Sequence, residues 1–347
     1  MSLSATVLQS VRHRKNAQRL DQWEHRVGQF GFLRMFEQDT PLLLNARIIE
    51  QAKTAASHVQ EAVVMKKGAV TINNTRSCTI QSKESTSALL TFTWATYSTD
   101  FTMAPYQYFD NEIQYADDLA QKMLEADEAL AIEFEEGCIA AAIAGRTKTA
   151  AYNAQNPYPV ASDAMVVDPD DMFDFYNQLK IVMKLHNFRT GKINIVGSTL
   201  AEADVLRYGA DRSLKSVNGA ISDSDEGWQL FGYNWKFSDY IPAVGHVSKR
   251  IFASAPGAYG IMNWNPKTFQ MGGKSTDGHT FETTPVMPLS GMSLGHQYYS
   301  ECLEGDKIVE SHQFSTDVCF VTAYNGTPAT VAGPIFEARI LGEDYDS

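Results

Sequence analysis

The sequence predicts an α+β fold, and three observations carry that reading. Apolar residues recur at helical spacing across 112–144. Strand-forming residues dominate 63–104. Beyond Trp228 the chain breaks into short β runs separated by glycine and proline. With 347 residues, 44% of them hydrophobic and 20% charged, the chain has the composition of an ordinary globular protein and the length of two or so domains.

Taken in order, residues 1–36 carry Arg12, Arg14, Lys15, Arg19, Arg26 and Arg34 against Asp21 and Glu24, a segment of +4 in a chain of net charge -12. A basic arm suits an acidic partner, including a second copy of the body; a solvated terminal helix would carry the same pattern. Leu42–Leu44 and Ile48-Ile49 suggest local packing, and Pro41 marks a break. Val63–Met65, Ala69–Ile72, Cys78–Ile80 and Leu89–Tyr97 read as strands around a polar turn, Ser82–Ser87. The expectation is a long β-hairpin with its tip near 82–87. A two-stranded ribbon is marginal alone in water, so it should rest on something else, such as another chain.

The clearest element is a helix over 112–144. Ile113, Ala116, Leu119, Met123, Ala126, Leu130, Phe134, Cys138 and Ala141 fall on one face. At 1.5 Å per residue it spans about 50 Å. Ten acids lie between Asp110 and Glu136, with Lys122 the only base, so the far face should be solvated or meet a basic partner. The apolar end, Cys138–Ala144, is expected to be buried all round. Asp168-Pro169-Asp170-Asp171 then opens a second helix with Phe175, Leu179 and Val182 inward and Gly191 as a stop. Ile193–Val196 is a short strand, and Thr199–Glu202 is a capping box for a helix to about Tyr208. Strands are expected at 228–237, 248–253, 258–264, 317–324 and 335–341.

Several motifs bear on chemistry. Gly291-Met292-Ser293-Leu294-Gly295 matches the nucleophile-elbow pattern, with Asp306 and His312 downstream. Yet they follow within 19 residues, too few for the α/β sheet that separates such groups, and Pro288 weakens the preceding strand. Gly272-Gly273-Lys274-Ser275-Thr276 echoes a phosphate loop but has Thr268 where glycine is needed. The eight histidines never take ligand spacing, and Asp223, Asp225 and Glu226 lack a calcium-loop pattern. No catalytic constellation, metal or cofactor is expected. The sequons at Asn73 and Asn325 come without a secretory signal, and no run approaches the 18 or so apolar residues that span a bilayer. Cys78, Cys138, Cys302 and Cys319 form no CxxC pair and read as buried, reduced thiols of a cytoplasmic product. The net negative charge argues against non-specific nucleic-acid binding.

The order of parts is what resembles a known family. A basic arm, a long two-stranded excursion, a very long acidic helix and a mixed α/β region ending in strands are similar to the major capsid protein of tailed bacteriophages, the Hong Kong 97-type fold. The helix–strand–helix run at 169–208, Gly227–Tyr233, and Ile251–Ala253 leading to Ala258–Ile261 add to it. The resemblance implies an N-terminal arm and start of the peripheral domain at 1–64, and an extended loop at 65–105. It places the rest of the peripheral domain at 106–159 with spine helix 112–144, an axial domain at 160–315, and strands returning to the peripheral domain at 316–347. It also implies a structural subunit, not an enzyme, that assembles into pentamers and hexamers of an icosahedral or prolate head. That head would enclose double-stranded DNA and be built in the bacterial cytoplasm. Scaffolding, portal and decoration proteins would be its partners, with no membrane involved. The chain starting at Met1 suggests that the scaffold is a separate protein. Arg12, Arg14, Lys15, Arg76, Lys83, Trp94, Glu125 and Glu128 are the candidate inter-subunit contacts, the arm's cations facing the spine helix's acids. Two alternatives remain at this point: an encapsulin-like nanocompartment shell, and a serine hydrolase using Ser293.

Overall fold

The computed structural model describes residues 29–65, 87–107, 112–146, 158–185, 192–211, 228–230, 232–303, 307–323 and 334–342. Among these residues two short helices come first, α1 (Gly31–Leu43) and α2 (Ala46–Thr54), followed by strands β1 (Glu61–Met65), β2 (Ser87–Thr91) and β3 (Trp94–Met103). The long helix α3 (Glu112–Gly145) leads to β4 (Val160–Ala161), β5 (Ala164–Val167), α4 (Met172–Leu185), β6 (Asn194–Ser198) and α5 (Thr199–Asp211). Next come β7 (Trp228–Leu230), β8 (Tyr233–Ser238), β9 (Val247–Ser254), β10 (Tyr259–Trp264), α6 (Lys267–Met271) and β11 (Gly273–Lys274). The chain closes with β12 (Thr280–Val286), β13 (Ser293–Leu303), β14 (Lys307–Thr322) and β15 (Ile335–Leu341).

These strands form a ribbon and two sheets. β1 pairs antiparallel with β2 alone, in the register Met65↔Ser87. A seven-stranded mixed sheet runs β4-β5-β15-β9-β6-β8-β7. A six-stranded sheet is organised around the long strand β14. Along one edge β14 pairs with β3; along the other it pairs with β13 and then with β10, and β12 and β11 extend the sheet beyond β13.

Each sheet buries its own core. Phe175, Tyr176 and Leu179 of α4 and Val205 of α5 pack on Ile195, Trp235, Ile251 and Phe336 of the seven-stranded sheet. The long helix α3, called the spine helix below, lies on the six-stranded sheet. Its Leu119, Met123, Leu130, Phe134 and Cys138 are buried with Phe314 and Val318 of β14 and with Phe32 and Phe36 of α1. Alternation along β10 and β14 sends Ile261 and Val318 to that side, but Met262 and Cys319 to the other, where α2 and Ala62 of β1 cover them. Gly137 is needed for the contact: a Cβ there would lie 2.5 Å from the Phe320 ring.

Several expectations require correction. The strand read at 89–97 is divided: β2 stays in the ribbon, while β3 turns away to pair with β14. The hairpin tip at 82–87 falls outside the described residues except Ser87, which already pairs with Met65. Residues 228–237 form a two-stranded hairpin, not one strand, with Gly232 at φ +78 in its turn. Pro41 does not break α1 but sits in its last turn, where Thr40 Oγ1 donates to the Phe36 carbonyl. Asp168–Asp171 form a turn ahead of α4, which begins at Met172. The helix read from Thr199 begins there, and the Thr199 hydroxyl lies between Asp239 and the Ser238 carbonyl at the end of the neighbouring strand. Ala140 and Ala144 are exposed, because one side of even this apolar stretch looks away from the sheet. Cys302 is exposed, whereas Cys138 and Cys319 are buried; Cys78 and Gly191 lie outside the described residues.

β14 runs unbroken through residues 315 and 316, β10 to β13 join the sheet under the long helix, and β15 joins the seven-stranded sheet through β5 and β9.

Candidate assembly surfaces

The ribbon leaves the body through a clamp. Trp94 Nε1 donates to the Val59 carbonyl at 2.9 Å, and its ring stacks on His58 at 4.9 Å between centroids. His58 Nε2 meets Asp317 Oδ2 at 2.7 Å and packs edge-on to Trp264, whose own N–H donates to the Ala55 carbonyl at 3.0 Å. Phe92 is buried beside them. Beyond this base the ribbon carries an apolar pair in water: Val63 and Leu89 face each other across the strands at 63% and 59% exposure. One face of the ribbon is thus held by the chain's own core at Ala62, and the opposite face is open.

The spine helix presents a second surface. Glu125, Glu133 and Glu136 line its exposed stripe, and Glu125 accepts from Gln121 Nε2 at 3.0 Å. Glu128 is half-buried. The acids are not all solvated, however. Asp127 and Glu135 are fully buried. Glu135 accepts from the Phe32 and Leu33 N–H groups at 2.9 and 2.6 Å, capping α1, whose N-cap residue Phe30 offers no side-chain acceptor. Asp127 accepts from Leu289 and Ser290 N–H at 2.8 and 3.1 Å. Asp39 accepts from Ala258 N–H at 3.2 Å and Asn194 Nδ2 at 2.9 Å. Burial pushes the carboxyl of Glu135 up to about 7 and that of Asp39 up to about 6, and it raises Asp127 as well; the hydrogen bonds oppose each shift. These carboxylates fasten α1, the spine helix, the 287–291 loop and the sheets to one another.

At the far end of the spine helix, Glu337 of β15 is fully buried among three guanidinium groups. Arg146 pairs with its Oε2, while Arg250 Nη2 and Arg339 Nε reach Oε1, both at 2.8 Å. This joint fixes the helix to the seven-stranded sheet.

Of the candidate contacts, Trp94 is engaged within the chain and half-buried, and Glu125 and Glu128 lie on the spine helix. Arg12, Arg14, Lys15, Arg76 and Lys83 lie outside the described residues. Sequence reasoning missed Asp127, Glu135 and Glu337. The signal for the first two was present: Ala120, Leu124, Asp127, Ala131 and Glu135 form a helical row beside the apolar stripe, and that row is buried.

Ser293 does not form a nucleophile elbow. It opens strand β13, and its hydroxyl donates to the Thr284 carbonyl. His312 is buried and meets His296, while Asp306 lies outside the described residues. The 272–276 loop is the edge hairpin β11–β12, not a phosphate cradle. Among the described residues no group of three or more His, Cys, Asp or Glu is placed to hold a metal, and no helix is long and apolar enough to cross a membrane.

No protein-family model and no curated protein sequence matches the chain. Among solved structures, a chain of the cyanophage A-1(L) capsid asymmetric unit is similar at a TM-score of 0.51, covering 90% of this chain and 92% of that one at 10% identity. The chain has the phage capsid fold. A chain from Mycobacterium phage Bobi (TM-score 0.44, 12% identity, 85% and 90% covered) and the capsid of a native GTA particle (0.41, 10%, 86% and 92%) were also found; the assignment rests on the first. The long helix on the six-stranded sheet is the helix read at 112–144, and the architecture is consistent with the Hong Kong 97 type.

Proposed function

We propose that this chain is the major capsid protein of a tailed phage and builds a closed shell from pentamers and hexamers of itself. The observation that carries the reading is the similarity to the cyanophage A-1(L) capsid asymmetric unit over nine-tenths of both chains. The exposed Val63–Leu89 pair and the acidic stripe of the spine helix support it. Both are surfaces that a neighbouring copy would cover, the first by apolar contact and the second by the basic arm bearing Arg12, Arg14 and Lys15. Each exposed ion pair contributes only about 0–1 kcal/mol, but a shell repeats it at every interface. Arg76, Lys83 and Trp94 would add contacts along and at the base of the ribbon. The role is structural and not enzymatic, the location is the virion, and packaged double-stranded DNA, scaffold and portal are the expected partners.

On this reading the seven-stranded sheet with α4 and α5 is the axial domain. The spine helix with the six-stranded sheet is the peripheral domain, so the domain boundary follows the sheets: 158–254 with 334–342 axial, and 259–323 peripheral.

Electron microscopy of the expressed protein, with and without its scaffold, tests the reading. Rings or shells are expected. Only compact monomers under both conditions would overturn it. Reversing Arg12, Arg14 and Lys15 to glutamate should reduce shell yield while leaving the subunit folded, as read by circular dichroism.

A further inference from the structure

A line of polar groups crosses the buried face of the six-stranded sheet under the spine helix. Glu282 Oε1 of β12 meets His296 Nδ1 at 3.0 Å, and His296 Nε2 of β13 meets His312 Nδ1 of β14 at 3.1 Å. His312 Nε2 lies 3.8 Å from Glu310 Oε2 and has no hydrogen-bond partner. Glu310 in turn accepts from the hydroxyl of Tyr115, in the first turn of the spine helix. Both imidazoles are buried, at 2% and 1% exposure. They stack on one another, with Phe314 on His296 at 4.5 Å and Phe101 of β3 on His312 at 5.1 Å. Tyr298 of β13 also stacks on both rings. The titratable groups facing the pair are therefore Glu282, Glu310, Tyr298 and Tyr115, and β3 supplies an aromatic ring.

Proton counting then leaves little freedom. Glu282 accepts, so His296 carries its proton on Nδ1, and its neutral ring accepts at Nε2. The donor must be His312 Nδ1–H, which leaves His312 Nε2 bare and facing a carboxylate. Two acceptors confronting one another in a buried site are unfavourable, and one proton on His312 Nε2 turns the contact into a donor–acceptor pair. A second proton, on His296 Nε2, would set N–H against N–H at 3.1 Å.

We propose that His296 and His312 form a single-proton site that latches the β13–β14 hairpin to the start of the spine helix through Glu310 and Tyr115. The surrounding electrostatics agree. Burial, and after Glu282's opposing hydrogen bond the charge of His312, hold His296 below the usual histidine range. Glu310 is held below the usual carboxylate range, first by His312 and, against burial, by Tyr115 as well. This inference does not depend on the shell reading; it would hold for an unassembled subunit.

The test is amide hydrogen exchange of the β13–β14 hairpin from pH 8 to pH 5, corrected for intrinsic rates, compared with a His296→Gln/His312→Gln double variant. Opening releases two histidines of ordinary pKa, about 6.5, each of which takes a proton, whereas the closed pair holds one. Below about pH 6 the wild type should lose protection relative to the double variant by about tenfold per pH unit. No relative change would mean that both rings are charged, and about a hundredfold per unit that neither is; either result overturns the single-proton site. Should the double variant fail to fold, Glu310→Gln decides. Its amide can donate to the bare nitrogen and favour the neutral pair, so protection should fall about tenfold per unit more steeply than in wild type, and identical slopes would overturn the proposal.

Discussion

Replacing Glu135 with glutamine should change how the protein's stability responds to pH more than it changes stability at any one pH. The carboxylate is fully buried and accepts from the first free N–H groups of α1, at Phe32 and Leu33. Burial raises its pKa from 4.5 to about 7. The folded value lies above the unfolded one, so its contribution is complete below about 4.5 and is lost as pH rises through 7. A shift of this size corresponds to roughly 3 kcal/mol, or two to three powers of ten in an opening equilibrium. Glutamine cannot titrate. Its oxygen serves one N–H while its NH₂ opposes the other, a fixed cost of about 1–3 kcal/mol. Hydrogen exchange of the 30–43 segment reads the effect in any assembly state. Between pH 4.5 and 8 the wild type should lose protection relative to Glu135→Gln by on the order of 10²–10³. Asp39 and Asp127 titrate in both proteins and cancel. Parallel pH curves would refute the reasoning, because they would mean that the buried carboxyl keeps its charge throughout.

Other outcomes follow from the same contacts. Phe134→Ala empties the site between the spine helix and Tyr97, which meet edge-to-face at 5.3 Å, and should cost about 3–5 kcal/mol in chemical denaturation. Gly137→Val should drive the helix from Phe320 and cost about 1–3 kcal/mol, and Phe320→Ala in the same chain should recover part of that loss. Glu337→Gln leaves three guanidinium groups around an uncharged side chain and should destabilise by about 3–5 kcal/mol, with added salt recovering little because the site is buried. Ser293→Ala should leave any ester hydrolysis by the purified protein unchanged, since that hydroxyl is committed to the Thr284 carbonyl.

What the sequence determined by itself was whatever local periodicity dictates. The spine helix was legible from 112 to 144 because its apolar stripe repeats for nine turns without a proline, and it is observed as Glu112–Gly145. β15 and β9 were legible because β-branched and aromatic residues concentrate there. Tertiary structure decided the rest. β12, β13 and the first half of β14 are polar and rich in Ser, Thr, His and Gln, and they are strands because each has a hydrogen-bonding neighbour in a sheet that no local signal announces. Pairing across 103 residues likewise made Glu135 a helix cap, and cross-strand register brought His296 to His312. A side chain's neighbours along a helix are written in its spacing. Its partners across a sheet are set by which strands meet, and only the folded chain fixes that.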